Sequence, residues 1–149
     1  MTTNGQHIVR LEFTSAFEML DFVQVVSDHM ARDIGLDDDA LHWVGVAIRE
    51  SVINAIKHGN RNDADKHVFI EFETATRSDV PELMIRVRVQ GEGFDPETVA
   101  NPLDPENLLK SSGRGIFLIR NFMDDVQLQR APEGGMEIRM VKRVQASAE

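Results

Sequence analysis

Two strand-like segments that adjoin along the chain limit the folds open to it. Residues 67–76 and 83–89 both alternate between apolar and polar side chains, which is the pattern of a strand with one buried face. Only a turn at 77–81 lies between them. Strands that follow each other so directly indicate an antiparallel or mixed sheet, and they exclude the parallel sheet of a doubly wound fold.

The flanking segments extend this pattern to the order strand, two helices, two strands, helix, two strands. Because the helices lie outside the runs of strands, we expect them to cover one face of the sheet. The prediction is an α+β protein, a two-layer α/β sandwich with a mixed, mostly antiparallel sheet and about three helices. The elements fall at about 7–14, 15–34, 38–58, 67–76, 83–89, 113–123, 126–130 and 136–141.

Capping residues mark the predicted helix ends. Ser15 followed by Glu18 predicts a capping box at the start of the first helix, and Gly35 is expected to end that helix. Asp37 or Asp38 is expected to cap the second helix. These signals place the boundary between the two helices within a few residues.

Composition narrows the class of protein. A chain of 149 residues with 42% hydrophobic residues fits a single domain at 1–149, with a tail that frays at about 144–149. No cysteine is present, which excludes disulfides and thiol chemistry. No segment is typical of a signal peptide or a membrane span, so a cytoplasmic protein is expected. The formal net charge of -9 disfavours nucleic acid and is compatible with a basic or mixed-charge protein partner.

The second helix carries a polar stripe beside its apolar face. Glu50, Asn54 and His58 are four residues apart, so their side chains lie along one side of the helix, and Lys57 lies next to them. A carboxylate and an amide oxygen in this arrangement suit a hard cation such as Mg²⁺ that carries the phosphates of a nucleotide. Without further signals, exposed helix residues would explain the same pattern.

Two glycine-rich turns downstream supply those further signals. Gly91 and Gly93 follow the second strand of the hairpin, and Gly113-Arg114-Gly115 opens the last helix. Glycines let the backbone pass close to a ligand, and a helix N-terminus offers free N–H groups to phosphate oxygens. Residues 101–112, between the turns, contain two prolines and few apolar anchors, as a mobile loop does.

Three blocks of the sequence together resemble a known family. The chain is similar to the ATP-binding domain, of Bergerat type, that gyrase, heat-shock chaperones, sensor histidine kinases and mismatch-repair proteins share, and most of all to the anti-sigma-factor serine kinases of bacteria. The resemblance covers nearly the whole chain. The blocks are Glu50-Ser51-Val52-Ile53-Asn54-Ala55 with Lys57-His58-Gly59, then Gly91-Glu92-Gly93-Phe94-Asp95-Pro96, and then residues 112–126.

The resemblance implies a function and a set of site residues. It implies that Asn54 binds Mg²⁺, that Glu50 is the general base or orients a partner's serine hydroxyl, and that residues 96–112 form a lid over ATP. It further implies a sigma factor and an anti-sigma antagonist as protein partners, and a possible homodimer. The residues implied to bind the cofactor are Asn54, Lys57, His58, Val89, Gly91, Gly93, Gly113, Arg114, Gly115 and Ile116.

One position departs from the family's pattern. The second block usually reads Asp-x-Gly-x-Gly, and its Asp accepts a hydrogen bond from the adenine amino group, but Val89 stands there. An unpaired amino group would cost roughly 1–3 kcal/mol, or about one to two decades of affinity. Three interpretations stay open: water or Gln90 replaces the carboxylate, nucleotide binding is lost and a protein-binding module remains, or Val89 was introduced to disable the site.

Overall fold

The two-layer architecture is confirmed by a computed structural model, which describes residues 6–59, 63, 65–89, 119–132 and 135–145. Five strands form one sheet in the order β1-β2-β3-β5-β4, and every neighbouring pair is antiparallel. The strands are β1 (His7–Thr14), β2 (His67–Arg77), β3 (Val80–Val89), β4 (Asp125–Arg130) and β5 (Met136–Arg143), and the long helices are α1 (Leu20–Asp33) and α2 (Asp38–Asn54).

Shorter helical segments complete the helical layer. A 3₁₀ turn at Phe17–Met19 leads into α1, and a π-helical turn at Ala55–Gly59 continues α2. Residues 119–122 are helical as well. Nowhere in the described ranges is a helix long and apolar enough to span a membrane.

The hairpin turn is tighter than the sequence indicated. Arg77 pairs directly with Val80, so Ser78 and Asp79 form a two-residue turn and β3 begins three residues earlier than expected. Both turn residues have positive φ, 53° and 66°. Such a turn matches the right-handed twist of the strands that it joins, which explains why the pairing continues to its last residue.

The core lies between the helices and one face of the sheet. Alternate residues of β2 are buried, β3 buries residues 82–85 consecutively and then Val87 and Val89, and α2 buries one stripe of its surface. Met30, Met123, Met136 and Met140 are buried in it, and Met19 packs against it partly buried. Central members of this core are Val44, Ile48, Val52, Val68, Ile70, Phe72, Leu83, Ile85 and Val87.

Helix capping follows the sequence at one junction and not at the other. Asp37 caps α2 by accepting a hydrogen bond from the Ala40 N–H at 2.8 Å, and Gly35 ends α1 with a φ of 95°. The capping box at Ser15 is wrong. Ser15 donates both its hydroxyl and its N–H to the Lys66 carbonyl, which holds it beside the start of β2. The helical turn therefore begins after Ala16, which has no side-chain cap bond, and α1 begins only at Leu20.

The second face of the sheet carries paired charges. Arg86 donates to Glu137 at 2.6 Å and to Glu71 at 3.3 Å, and the Glu137 side chain is only 3% exposed. The hydrogen bond to Glu137, with the nearby negative charges, raises the pKa of Arg86 further above its usual value despite the opposing effect of burial. Arg86 therefore stays protonated at every accessible pH, and its hydrogen bonds join β3 to β2 and β5.

Candidate functional site

Glu50 and Asn54 lie on the same side of the last turn of α2. Both side chains are half-buried, while the intervening Ser51 and Val52 are buried against the sheet. A spacing of four residues in an α-helix separates the two by about 6 Å along the axis. The carboxylate and the amide thus border the core without belonging to it, which leaves them open to a ligand.

Ser51 fixes how this pair is turned relative to the sheet. Its hydroxyl donates to the Ala47 carbonyl at 2.8 Å and lies 3.3 Å from the sulfur of Met140 in β5. Because Ser51 is adjacent to Glu50 in sequence, this contact sets the rotation of α2 over the sheet. The sequence offered one signal for such a residue, a single hydroxyl within the buried stripe of the helix.

The helix changes geometry immediately after Asn54. Ala55–Gly59 forms a π-helical turn in which Ala55 and Ile56 are buried and Lys57 is exposed. A π turn holds more residues than an α turn, so positions beyond Asn54 are rotated away from the phase that an uninterrupted α-helix would give. The polar stripe expected at Glu50, Asn54 and His58 therefore keeps its α-helical spacing only as far as Asn54. Turns of this kind occur frequently at functional sites.

Val89 is the last residue of β3, a strand that packs against this π-helical turn. It pairs with Val68, which lies one residue into β2, and β3 packs against Ala55–Gly59. The Val89 side chain is buried, with a residue exposure of 3%, and belongs to the apolar core. The structure therefore packs β3 against the turn that continues α2, and the last residue of that strand has a side chain without a hydrogen-bond acceptor.

The described side chains fit one half of a nucleotide site. Hard oxygen ligands from Glu50 and Asn54 suit Mg²⁺ and the phosphates that it carries. Val89, at the position where the resemblance implies the adenine contact, has no acceptor for an adenine amino group. The remaining expected site residues, and the expected lid at 96–112, lie outside the described residues: Gly91, Gly93, Gly113, Arg114, Gly115 and Ile116. For His58 the structure describes the backbone only.

The end of the third block has a structural role that sequence reasoning missed. Phe122 stacks face to face on Trp43 of α2, with ring centroids 3.7 Å apart, and its carbonyl accepts a hydrogen bond from Lys142. The Asp124 carboxylate accepts the Arg143 N–H at 2.6 Å. These contacts fasten the residues after the last helix to both α2 and β5. The aromatic pair could not be found from spacing, since its partners are far apart in sequence.

Comparisons with known proteins cover most of the chain. Residues 14–142 match the family model described as histidine kinase-like ATPase domain. The anti-sigma F factor of Oceanobacillus iheyensis is 33% identical over 141 residues, covering 92% of each chain. That of Bacillus velezensis is 32% identical over 143 residues, covering 93% of this chain and 94% of the relative. A Listeria innocua protein named serine-protein kinase RsbW is 24% identical over 142 residues, or 91% and 87% of the two chains.

A solved structure shares the fold. The crystal structure of the RsbU and RsbW domains of Rv1364c from Mycobacterium tuberculosis superimposes with a TM-score of 0.59 at 15% sequence identity. The match covers 96% of this chain and 34% of that longer chain. At so low an identity the likeness concerns the arrangement of helices and strands, and it agrees with the antiparallel sheet and helical layer described above.

Proposed function

This chain belongs to the histidine kinase-like ATPase domain family, and from that membership we propose that it is an anti-sigma regulatory factor that uses ATP to phosphorylate a serine of an anti-sigma antagonist. The names of its relatives, anti-sigma F factor and serine-protein kinase, support both parts of the proposal. The observation that carries it is the half-buried pair of Glu50 and Asn54 on one side of α2. Control of sigma-factor availability would follow from the phosphorylation state of the antagonist.

The described residues would divide the chemistry between them. Bound Mg-ATP supplies the phosphoryl group. The Asn54 amide oxygen would hold the cation in place, which positions the phosphates and offsets their charge, the main requirement of phosphoryl transfer. The Glu50 carboxylate would accept the proton of the serine hydroxyl or orient it, and general-base assistance is worth about 10²–10⁴-fold in rate. Lys57, exposed in the π-helical turn that follows Asn54, would be available to a phosphate.

Phosphoserine formation tests the enzymatic proposal. The protein is incubated with Mg-ATP and candidate antagonists, and phosphoserine is measured by mass spectrometry. Glu50→Ala should lose about two or more decades of rate with little change in ATP affinity, whereas Asn54→Ala should lose binding as well. Arg49→Ala, an exposed neighbour on the same helix, is the matched control and should behave like the parent. Equal rates for Glu50→Ala and the parent would refute the role of Glu50.

A second candidate function follows from Val89. A buried valine at the base end of the site favours a protein-binding module in which nucleotide affinity is weak or lost. Calorimetry with ATP and Mg²⁺ separates the two functions. A micromolar dissociation constant supports the kinase, and no heat at millimolar nucleotide supports the module.

The proposal also includes the protein partners, the oligomeric state and the location of the protein. A sigma factor and an antagonist are the protein ligands that the relatives' names indicate, and a homodimer and a cytoplasmic location are part of the same hypothesis. Analytical ultracentrifugation of the protein alone measures the oligomeric state. Pull-down with purified sigma factors, with and without ATP, measures the first partner directly.

A further inference from the structure

Ser51 is the polar member of the buried stripe of α2. The other buried residues of this helix are apolar or glycine, and Ser51 itself is 2% exposed. A buried hydroxyl without a partner destabilises a fold, and alanine, of similar size, would avoid that cost at this position. The partners of the hydroxyl therefore decide what it contributes.

The first partner lies within the helix. The Ser51 hydroxyl donates to the Ala47 carbonyl at 2.8 Å, and a back-bond of this kind often bends a helix. One turn later the geometry of the helix changes, and there the Ala55 N–H donates to the carbonyls of both Ser51 and Val52. The side chain and the backbone of Ser51 thus connect the last α-helical turn to the π-helical turn that follows it.

The second partner lies in the sheet. The same hydroxyl is 3.3 Å from the sulfur of Met140, which is fully buried. Met140 belongs to β5 and pairs with Ile85 of β3 and with Val126 of β4, so strands on both sides hold its backbone. Apolar contacts are non-directional, whereas a buried polar contact favours one arrangement. The hydroxyl therefore favours a single orientation of α2 over β5.

The orientation of α2 determines where the Glu50 carboxylate lies. Glu50 directly precedes Ser51 on the same helical turn. Side-chain ends lie about 5–6 Å from the axis of an α-helix, so a rotation of about 10° moves a carboxylate by about 1 Å. A misplacement of about 1 Å can cost about 10²-fold in rate where reacting groups must be aligned. A small rotation of α2 would therefore be sufficient to impair phosphoryl transfer.

We propose that Ser51 is a positioning residue for phosphoryl transfer, which acts through Glu50 by way of the contacts with Ala47 and Met140. This inference rests on the kinase function proposed above. Ser51 is too deeply buried to touch the nucleotide or the substrate itself. Loss of the hydroxyl should lower kcat more than nucleotide affinity, because Mg²⁺ keeps several water ligands that can take up a small shift of Asn54, whereas in-line attack has no such tolerance.

Ser51→Ala tests this role, and Ser51→Thr is the rescue variant. With the antagonist that the parent phosphorylates, Ser51→Ala should lower kcat about ten- to a hundredfold, while the ATP dissociation constant from calorimetry changes less than about threefold. Threonine keeps an Oγ that can donate to the carbonyl one turn back, so Ser51→Thr should recover most of the rate. Rates are compared well below the unfolding transition of each variant, so that lost stability is not counted as lost rate.

A double-mutant cycle shows whether Ser51 acts through Glu50. In a Glu50→Ala background, Ser51→Ala should lower kcat by less than about twofold more, since the carboxylate that it positions is already absent. Ser27→Ala is the matched control. Ser27 is 1% exposed in α1, and within the described part of the chain its hydroxyl has no hydrogen-bond partner, so its removal should leave kcat unchanged.

The sulfur contact has its own pair of variants. Met140→Leu conserves volume and removes the sulfur, and it should lower kcat about threefold or more in the parent but not in the Ser51→Ala background. Met136→Leu makes the same change in β5 at another buried position, about 13 Å along the strand, and should leave kcat unchanged. If Ser51→Ala does not fold, Met140→Leu carries the test in its place.

The outcomes separate this inference from the kinase proposal. An active parent with an equally active Ser51→Ala variant refutes the positioning role alone, as does a loss that adds in full to that of Glu50→Ala or that Ser27→Ala shares. A rate that Ser51→Thr does not recover also refutes it, since the hydroxyl would then not be the active group. A parent that forms no phosphoserine refutes the kinase function, and this inference with it.

Discussion

Replacing Val89 with aspartate should lower the stability of the fold and raise the affinity for ATP. Val89 ends β3, pairs with Val68 and is 3% exposed. Losing the buried valine side chain costs about 1.5 kcal/mol. Desolvating a carboxyl group there costs at least another 1–3 kcal/mol. Without nucleotide, Val89→Asp should therefore reduce the free energy of unfolding by about 2.5–4.5 kcal/mol, measured by denaturant titration.

If position 89 faces the adenine base, bound ATP should restore part of the lost free energy of unfolding in Val89→Asp. A carboxylate that accepts a hydrogen bond from the adenine amino group is worth roughly 1–3 kcal/mol, so Val89→Asp should bind ATP about one to two decades more tightly than the parent. GTP carries an oxygen in place of that amino group and should gain nothing. Calorimetry with both nucleotides measures the difference, and Val89→Asn offers a neutral acceptor should the aspartate variant unfold.

Val87→Asn provides the matched control for Val89→Asn. Val87 is buried on the same face of β3, two residues before Val89. Its substitution should destabilise the fold to a similar degree without improving ATP affinity. The reasoning is refuted if folded Val89→Asp and Val89→Asn proteins bind ATP no better than the parent, or if GTP gains as much as ATP. Position 89 would then be a core residue alone, and the second block would be out of register with the family.

Three further predictions concern stability. Arg86→Met leaves the Glu137 carboxylate buried without its 2.6 Å partner. The free energy of unfolding, measured by denaturant titration, should fall by about 3–5 kcal/mol. A loss below about 1 kcal/mol would contradict the structural role of the pair. Ser78→Asn with Asp79→Gly places residues that favour positive φ at the two turn positions. The free energy of unfolding should rise by about 1–2 kcal/mol, seen as a higher Tm. A lower Tm would argue against the two-residue turn. Asp124→Ala removes the acceptor of the Arg143 N–H and should cost about 1–2 kcal/mol and speed hydrogen exchange at that amide, while unchanged exchange would exclude the bond.

Alternation and helical periodicity were sufficient to predict the elements of this fold. β1 has the predicted bounds, and β2 ends one residue later than expected. The capping of α2 by Asp37 was predictable because a cap depends on residues a few positions away. Ser15 fails as a cap for the complementary reason. Its partner, the Lys66 carbonyl, is distant in sequence and is brought near only by the pairing of β1 with β2.

The burial of polar residues was also predictable only where its cause lies nearby in the sequence. The alternation of β5 gives no sign that Glu137 is buried, because its burial depends on Arg86 from a neighbouring strand. In the candidate site, the spacing of Glu50 and Asn54 was predictable, since both belong to one α-helix. The π-helical turn after Asn54 was not, and the sequence contains no proline or glycine between Asn54 and His58 to signal a break.

The roles of the motif residues differ, and this affects what a family match can establish. Ser51, Phe122 and Asp124 lie within the matching blocks, yet their contacts hold α2, the last helix and β5 together. A protein that kept only the fold would retain these three residues and still match the family. Glu50 and Asn54 make no such contact among the described residues, and their half-buried positions contribute little to the core. A carboxylate and an amide that stand side by side outside the core are therefore the stronger argument for a phosphate site, and Val89 limits that argument to the phosphate end.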